Sequence, residues 1–232
     1  MADSLHNLSI VLGDEGRGAE SEATAREVLA LRRRLLGNEH ALVAAALCDV
    51  AYALGFTGKL EEAESLEREA LAMQRKLLGD ENPAVATTLS SLGEHMRQQG
   101  NLTDADAVTS AALSIQRKLL GDNSPAVMFT LGSLGSTLEG EGKWAEAEVA
   151  HREALALWRK RGGNEDSQTL SELESVTRVL MAQKNVCGCF HLKCIRGNED
   201  DVQNIRPASR CSKFFAEENC KTNCGLCAKV SS

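Results

Sequence analysis

The chain has 232 residues, a formal net charge of −7 and an aromatic content of only 3%. Nucleic-acid binding requires a basic surface, so we expect no nucleic-acid partner for this acidic chain. The longest apolar runs are far shorter than the roughly 20 residues of a membrane span, so we expect no span. The N-terminus shows no charged start followed by an apolar run, which argues against a secretory signal.

A 42-residue period runs through most of the sequence, and four glycines mark it: Gly37, Gly79, Gly121 and Gly163. A fixed period in this range is typical of a protein built from stacked structural repeats. We therefore divide residues 1–184 into repeat units. The predicted units cover about 1–40, 41–82, 83–124 and 125–166, and a capping helix follows at 167–184.

Each unit is predicted to form two antiparallel helices. In the second unit Leu47, Val50 and Leu54 recur at helical spacing and give the first helix one apolar stripe. Gly58 ends that helix, and a positive φ at this position would explain why the glycine repeats. The second helix is predicted from Leu60 to Leu78.

Each second helix ends with paired basic residues, such as Arg75-Lys76, followed by the repeating glycine. Cations in a last turn stabilise the negative end of the helix dipole, which is our interpretation of these pairs. Asn82-Pro83 and Ser124-Pro125 then predict new helix starts, because an Asn or Ser side chain caps the N-terminus and proline needs no N–H there.

The run from Gly58 to Glu64, then Glu69-Ala70-Leu71 and the run from Leu77 to Pro83 resemble the kinesin-light-chain type of tetratricopeptide repeat. The resemblance covers about Leu5 to Lys184. It implies an all-α fold, namely a right-handed superhelical solenoid of antiparallel helix pairs with a concave groove. It also implies a non-catalytic interaction scaffold that binds a partner peptide or helix in that groove.

The groove of such a solenoid is lined by the first helix of each pair, and these helices carry the candidate binding residues. In relatives an asparagine of the first helix bonds the peptide backbone, and here only Asn7 keeps it. The candidate groove residues are Asn7, Asp49, Tyr52, Phe56, Thr87, Ser91, Glu94, Phe129, Ser133 and Ser136.

No motif of an enzyme is present in the sequence. The H-E-x-x-H zinc pattern, the phosphate loop with Lys-Ser/Thr and the G-x-S-x-G nucleophile motif are all missing. The five histidines are dispersed along the chain. We therefore expect no catalytic site and no cofactor.

Residues 185–232 form a cysteine-rich tail that the period does not include. Cys220 to Cys227 resembles the end of a ShK toxin-type (ShKT) domain, a small six-cysteine module, and this resemblance implies disulfide bonds of open connectivity. The candidate cysteines are Cys187, Cys189, Cys194, Cys211, Cys220, Cys224 and Cys227.

Structural zinc is the alternative for the tail. Cys187, Cys189, His191 and Cys194 would supply one site, and the other four cysteines a second. Disulfide bonds would place the protein in an oxidising compartment, whereas zinc fits the cytoplasm, where helical repeat proteins usually occur. The sequence leaves this choice open.

Two other functions remain open at this point. The chain could be a structural subunit that docks in a larger assembly through its outer faces. It could also be a secreted or metal-binding effector that acts through the cysteine-rich tail. The oligomeric state and the identity of the protein or peptide partner do not follow from the sequence.

Overall fold

The computed structural model describes residues 2–183, which form nine α-helices and no strand. The all-α prediction is confirmed for this part of the chain. The cysteine-rich tail, with its seven cysteines and His191, lies outside the described residues. The helices are α1 (Ala2–Asp14), α2 (Gly18–Leu36), α3 (Ala41–Phe56), α4 (Leu60–Leu78), α5 (Pro83–Gln98), α6 (Leu102–Leu120), α7 (Pro125–Gly140), α8 (Trp144–Gly162) and α9 (Ser167–Ala182).

Glycines end the helices where the period places them. Helix α4 spans Leu60–Leu78, as predicted, and Gly79 follows it with a φ of +84°. The N–H of Gly79 donates to the carbonyl of Arg75 at 3.0 Å, which satisfies one carbonyl of the last turn. Gly58, after the first helix of the same pair, has a φ of +72°, so its predicted left-handed conformation is confirmed.

The start of α5 shows the predicted cap. The Asn82 side chain accepts a hydrogen bond of 2.9 Å from the N–H of Ala84. Pro83 is the first residue of the helix, where its missing N–H costs nothing. Local sequence signals thus fix both ends of the connection between α4 and α5.

The core lies between the first and second helices of the pairs. Leu47, Val50 and Leu54 of α3 are fully buried, as are the small residues Ala63 and Ala70 of α4. Small side chains on the second helices allow the helix axes to approach closely.

Gly93 brings α5 against α6 in the same way. A Cβ atom at Gly93 would lie 2.2 Å from the Thr109 hydroxyl oxygen, so the glycine is required for this approach. The predicted role of small residues on the first-helix stripe is confirmed at this position.

The chain divides into two compact units, 1–137 and 138–232, with the boundary inside α7. In the first unit each helix from α1 to α6 packs against the next, and the first helix α3 also contacts the first helices α1 and α5. In the described part of the second unit α9 packs on α8. The right-handed superhelix stays a prediction.

No helix within residues 2–183 combines the length and apolarity that crossing a membrane requires.

Candidate functional site

A groove of about 450 Å³ lies in the first unit, and the first helices of three successive repeats line it. Helices α3, α5 and α7 supply all of its lining residues. These are Tyr52, Gly55, Phe56, Ser90, Ser91, Glu94, His95, Gln98, Phe129, Thr130 and Ser133. We call this surface the central groove.

Three half-exposed aromatic side chains form the apolar part of the central groove. Tyr52, Phe56 and Phe129 are 46%, 47% and 54% exposed. The rings of Tyr52 and Phe56 meet edge to face, with centroids 4.8 Å apart and planes at 83°. The described residues contain only five aromatic residues, so their concentration at one groove distinguishes it from the rest of the surface.

Glu94 is the acidic group of the central groove, and its carboxylate is occupied within the protein. Arg97 donates to both oxygens, at 2.9 Å from Nε and 2.6 Å from Nη2. Gln98 and Ser133 donate at 2.8 and 3.2 Å. Burial alone would raise the pKa of Glu94, but these hydrogen bonds lower it overall. The carboxylate is therefore ionised, neutralised by Arg97 and saturated with donors.

Among the polar residues that line the central groove, only Thr130 is more deeply buried than His95. Its Nδ1 lies 2.9 Å from Glu67 Oε2 on α4, and the side chains are 8% and 1% exposed. Burial raises the pKa of Glu67 although the hydrogen bond with His95 opposes this shift. Nε2 of His95 faces Gly55, where an added Cβ would lie 2.8 Å away.

Six of the predicted groove residues line the central groove: Tyr52, Phe56, Ser91, Glu94, Phe129 and Ser133. The other four do not line it. Thr87 donates from its hydroxyl to the Pro83 carbonyl of its own helix at 3.0 Å. Asn7 is exposed on α1, and Ser136 is half-buried on α7.

Asp49, the fourth of these residues, is engaged within the protein. Its Oδ2 lies 2.7 Å from His6 Nδ1 and 3.8 Å from Arg32 Nη1. Burial raises the pKa of Asp49, and the nearby His6 and Arg32 oppose that shift. The carboxylate thus joins α1, α2 and α3, and its geometry is that of an inter-helix contact.

Sequence reasoning did not select Gly55, Ser90, His95 or Thr130 for the groove. One signal was available for His95. Its equivalents one period away are Ala53 and Thr137, so a large titratable residue stands at a position that is otherwise small. That signal marks His95 as an exception but does not identify its partner on another helix.

Buried polar contacts between helices repeat with the period, and they too were not predicted. The Thr88 hydroxyl donates to Gln74 Oε1 at 2.9 Å, and Gln74 Nε2 lies 3.8 Å from the Cys48 sulfur. One period later, Gln116 Nε2 donates to Ser90 Oγ at 3.0 Å, and Ser90 Oγ lies 3.1 Å from Thr130 Oγ1. Both glutamines are 4% exposed.

The basic residues at the ends of the second helices also connect neighbouring repeats. Lys76 Nζ lies 2.6 Å from Glu39 Oε2, and Lys118 pairs with Glu81 one period later. Sequence analysis assigned these cations to the helix dipole alone, whereas the structure adds ion pairs that recur along the stack.

Apolar surface is also present away from the central groove. Paired leucines end α2, α4 and α6 and are 40–67% exposed: Leu35, Leu36, Leu77, Leu78, Leu119 and Leu120. A second groove of about 520 Å³ is lined by α4, α5 and α6, with Leu71, Met96 and Val108 among its residues. This surface involves second helices, unlike the central groove.

Within residues 2–183 no group of three or more His, Cys, Asp and Glu side chains is arranged to hold a metal ion. The proposed zinc ligands lie outside that range.

A family model described as tetratricopeptide repeat matches residues 1–76 and 84–160. The chain belongs to the tetratricopeptide repeat family. The match supports the repeat interpretation, and proteins of this type are generally scaffolds for protein–protein interaction. One of the solved structures that the chain resembles is attributed to a kinesin light chain, and that likeness shows the fold alone.

One such structure contains nearly identical TPR-like repeats from Podosopora anserina, attributed to a kinesin light chain. The identity is 21% over 88% of this chain and 90% of that one, with a TM-score of 0.68. A second is BtubC (BKLC) from P. vanneervenii, with 21% identity over 94% of this chain and 82% of that one and a TM-score of 0.71. These likenesses show the fold. A comparison with curated proteins finds no match.

Proposed function

We propose that this protein is a non-catalytic scaffold that binds a peptide or helical segment of a partner protein in the central groove. The observation that carries the proposal is the convergence of Tyr52, Phe56 and Phe129, each about half exposed, on one groove of three first helices. Large aromatic side chains dominate the binding energy of protein interfaces when a partner covers them.

The polar lining of the central groove suits a peptide backbone. Ser91 and Gln98 lie among the aromatic side chains and carry groups that donate and accept hydrogen bonds. Apolar pockets combined with polar groups are typical of surfaces that bind an extended or helical segment. The internal Glu94–Arg97 pair adds little net charge, so we expect apolar anchors to contribute more to affinity than charge.

Binding of a selected peptide tests the proposal. A random dodecapeptide library would be panned against the full 232-residue chain, and the affinity of a selected peptide measured by fluorescence anisotropy. We expect Tyr52→Ala and Phe129→Ala each to weaken binding about 10-fold or more, because loss of an interface aromatic costs upward of about 1–2 kcal/mol.

Leu77→Ala is the matched control, because Leu77 is an exposed apolar residue, 41% accessible, at the end of a second helix. It should leave the affinity unchanged. The proposal fails if the groove variants bind like wild type, or if only Leu77→Ala weakens binding.

The alternative of a subunit docked through its outer faces is supported by the leucine pairs and by the second groove. Exposed apolar patches often mark interaction surfaces. On this alternative, Leu77→Ala combined with Leu119→Ala would release the protein from its native assembly. The Tyr52→Ala variant would stay in the assembly. Co-purification of each variant with the assembly from the source cell distinguishes outer-face docking from groove binding.

For the cysteine-rich tail we propose disulfide bonds, with structural zinc as the alternative. Intact mass measured with and without reductant separates them. Three disulfides would lower the mass by about six hydrogens relative to the reduced chain and would place the protein in an oxidising compartment. Zinc in the native mass spectrum, with every thiol free after denaturation, would favour a cytoplasmic protein instead.

The alternative of a secreted or metal-binding effector has its own test. If the isolated tail carried activity by itself, that result would support this alternative.

A further inference from the structure

We propose that His95 is a recognition residue of the central groove and that it selects an aromatic anchor bearing a hydroxyl group, as in tyrosine. This inference rests on the proposed function and names the chemistry of the partner at one point of the groove.

The first step is the position of the ring. Glu67 is 1% exposed on α4, and its contact with Nδ1 fixes the imidazole between α4 and α5. With Nδ1 held on that side, Nε2 lies on the side of Gly55, another lining residue of the central groove. The side chain is thus more than nine-tenths buried and points its second nitrogen toward the groove.

The second step is the hydrogen bonding of Nε2. Among the described residues the structure gives this nitrogen no protein partner, whereas Glu94, the acidic lining residue, has both oxygens engaged. Nε2 is not one of the buried polar atoms that lack a partner, so it is open to solvent, and a ligand that displaces its water must supply the lost hydrogen bond. A ligand that covers the groove with apolar atoms alone would leave Nε2 unsatisfied.

The third step is the class of group that fits. If Nδ1–H donates to ionised Glu67, Nε2 is an acceptor; if protonated Glu67 donates to Nδ1, Nε2–H is a donor. A hydroxyl group both donates and accepts, so it satisfies Nε2 in either arrangement. Tyr52, Phe56 and Phe129 provide aromatic edges and faces around an incoming ring. A phenol combines the two requirements.

The charge of the site agrees with a neutral anchor. Glu94 is the acidic lining residue, and Arg97, Gln98 and Ser133 already occupy its oxygens. A cationic anchor would therefore find no open carboxylate in the central groove.

Two blocked pentapeptides that differ by one oxygen atom test the inference. They are acetyl-Ala-Ala-Tyr-Ala-Ala-amide and the same peptide with phenylalanine at its centre. Both would be titrated into the full chain and followed by NMR. We expect the tyrosine peptide to bind at least about 5-fold more tightly, the ratio that a hydrogen bond of about 1 kcal/mol gives. The ¹⁵N shift of His95 Nε2 should move only with that peptide.

His95→Phe should abolish the preference and leave the affinity of the phenylalanine peptide similar. Because this variant leaves Glu67 buried without its partner, the Nε2 shift in the wild-type protein serves as the independent measurement.

Equal affinities for the two peptides, with an unchanged Nε2 signal, would overturn the inference and leave the peptide-groove function standing. Absence of binding by both peptides at millimolar concentration would also overturn it. Failure of the proposed function is distinguished by the library experiment, in which Tyr52→Ala and Phe129→Ala would have no effect on the selected peptide.

Discussion

His151 on α8 and Glu172 on α9 are joined by a contact of 2.8 Å between Nδ1 and Oε2. The other ring nitrogen lies 2.9 Å from Glu139 Oε1, and the His151 side chain is 1% exposed. The Nδ1 contact is a hydrogen bond, whereas Nε2 is buried without a hydrogen-bond partner despite its proximity to Glu139. The hydrogen bond between His151 and Glu172 therefore helps to hold α9 on α8.

His151→Leu should loosen α9. The substitution removes the hydrogen bond to Glu172, and loss of a hydrogen bond to a charged group typically costs about 1.5–3 kcal/mol. Glu139 keeps its two hydrogen bonds from Arg178. Hydrogen exchange of the α9 amides measures the effect, and we expect faster exchange there than in α4 or α5. Adding Glu172→Leu to His151→Leu should restore part of the protection, because one carboxylate no longer needs a partner. Unchanged exchange in the single variant would show that the cluster contributes nothing to the docking of α9.

Cys48 should react slowly in the folded protein. Burial raises the pKa of its thiol to about 11 from 9.0, although the hydrogen bond with Thr88 opposes the shift. The thiolate is the reactive form, so this change alone slows alkylation about 100-fold, and steric protection adds to it. Pulsed iodoacetamide at pH 8 followed by peptide mapping measures the rate at Cys48, with the urea-unfolded chain as control. Similar rates in both states would contradict the buried geometry.

The contributions of Glu67 and Glu94 to the free energy of unfolding should change with pH in opposite directions. Burial raises the pKa of Glu67 above the ordinary value of 4.5, so folding favours its protonated form. Its contribution to the free energy of unfolding therefore falls as the pH rises from about 4.5 through the raised pKa. Burial also acts on Glu94, but the hydrogen bonds from Arg97, Gln98 and Ser133 lower its pKa. Its contribution is full above about 4.5 and is lost as the pH falls through the lowered pKa.

Urea unfolding of wild type, Glu67→Gln and Glu94→Gln across pH 3 to 7 measures these differences. The advantage of wild type over Glu67→Gln should shrink with rising pH, whereas that over Glu94→Gln should grow. If both stability differences changed with pH in the same direction, the assigned burial and pairing of these carboxylates would be contradicted.

Gly93→Ala should destabilise the contact between α5 and α6. The added Cβ would lie 2.2 Å from Thr109 Oγ1, and overpacking of this kind costs about 1–3 kcal/mol. Thr109→Ala removes that oxygen, which is buried without a hydrogen-bond partner, so this change alone should be nearly neutral. Thermal unfolding of both single variants and the double variant should show that Thr109→Ala rescues much of the loss. Simple addition of the two effects would mean that the hydroxyl is not the obstacle.

The helices could be predicted closely because their signals are local. Gly79, Asn82 and Pro83 act on the residues beside them, so the end of α4 and the start of α5 were readable from the chain. The 42-residue period then carried that prediction to the other repeats.

The candidate site could be predicted only in part. Helical spacing placed Tyr52, Phe56 and Phe129 on one face, and they do share the central groove. Asp49 has the same spacing but contacts His6 and Arg32, because its side chain is determined by neighbouring helices that spacing does not describe.

Photo-cross-linking of a library-selected peptide to the full chain tests the central claim most directly. A benzophenone group would replace the aromatic anchor of the peptide, and mass spectrometry would locate its attachment sites. The scaffold proposal predicts cross-links in segments of α3, α5 and α7 that contain Tyr52, His95 and Phe129. Cross-links confined to the leucine-bearing ends of α2, α4 and α6, or to residues 185–232, would contradict it.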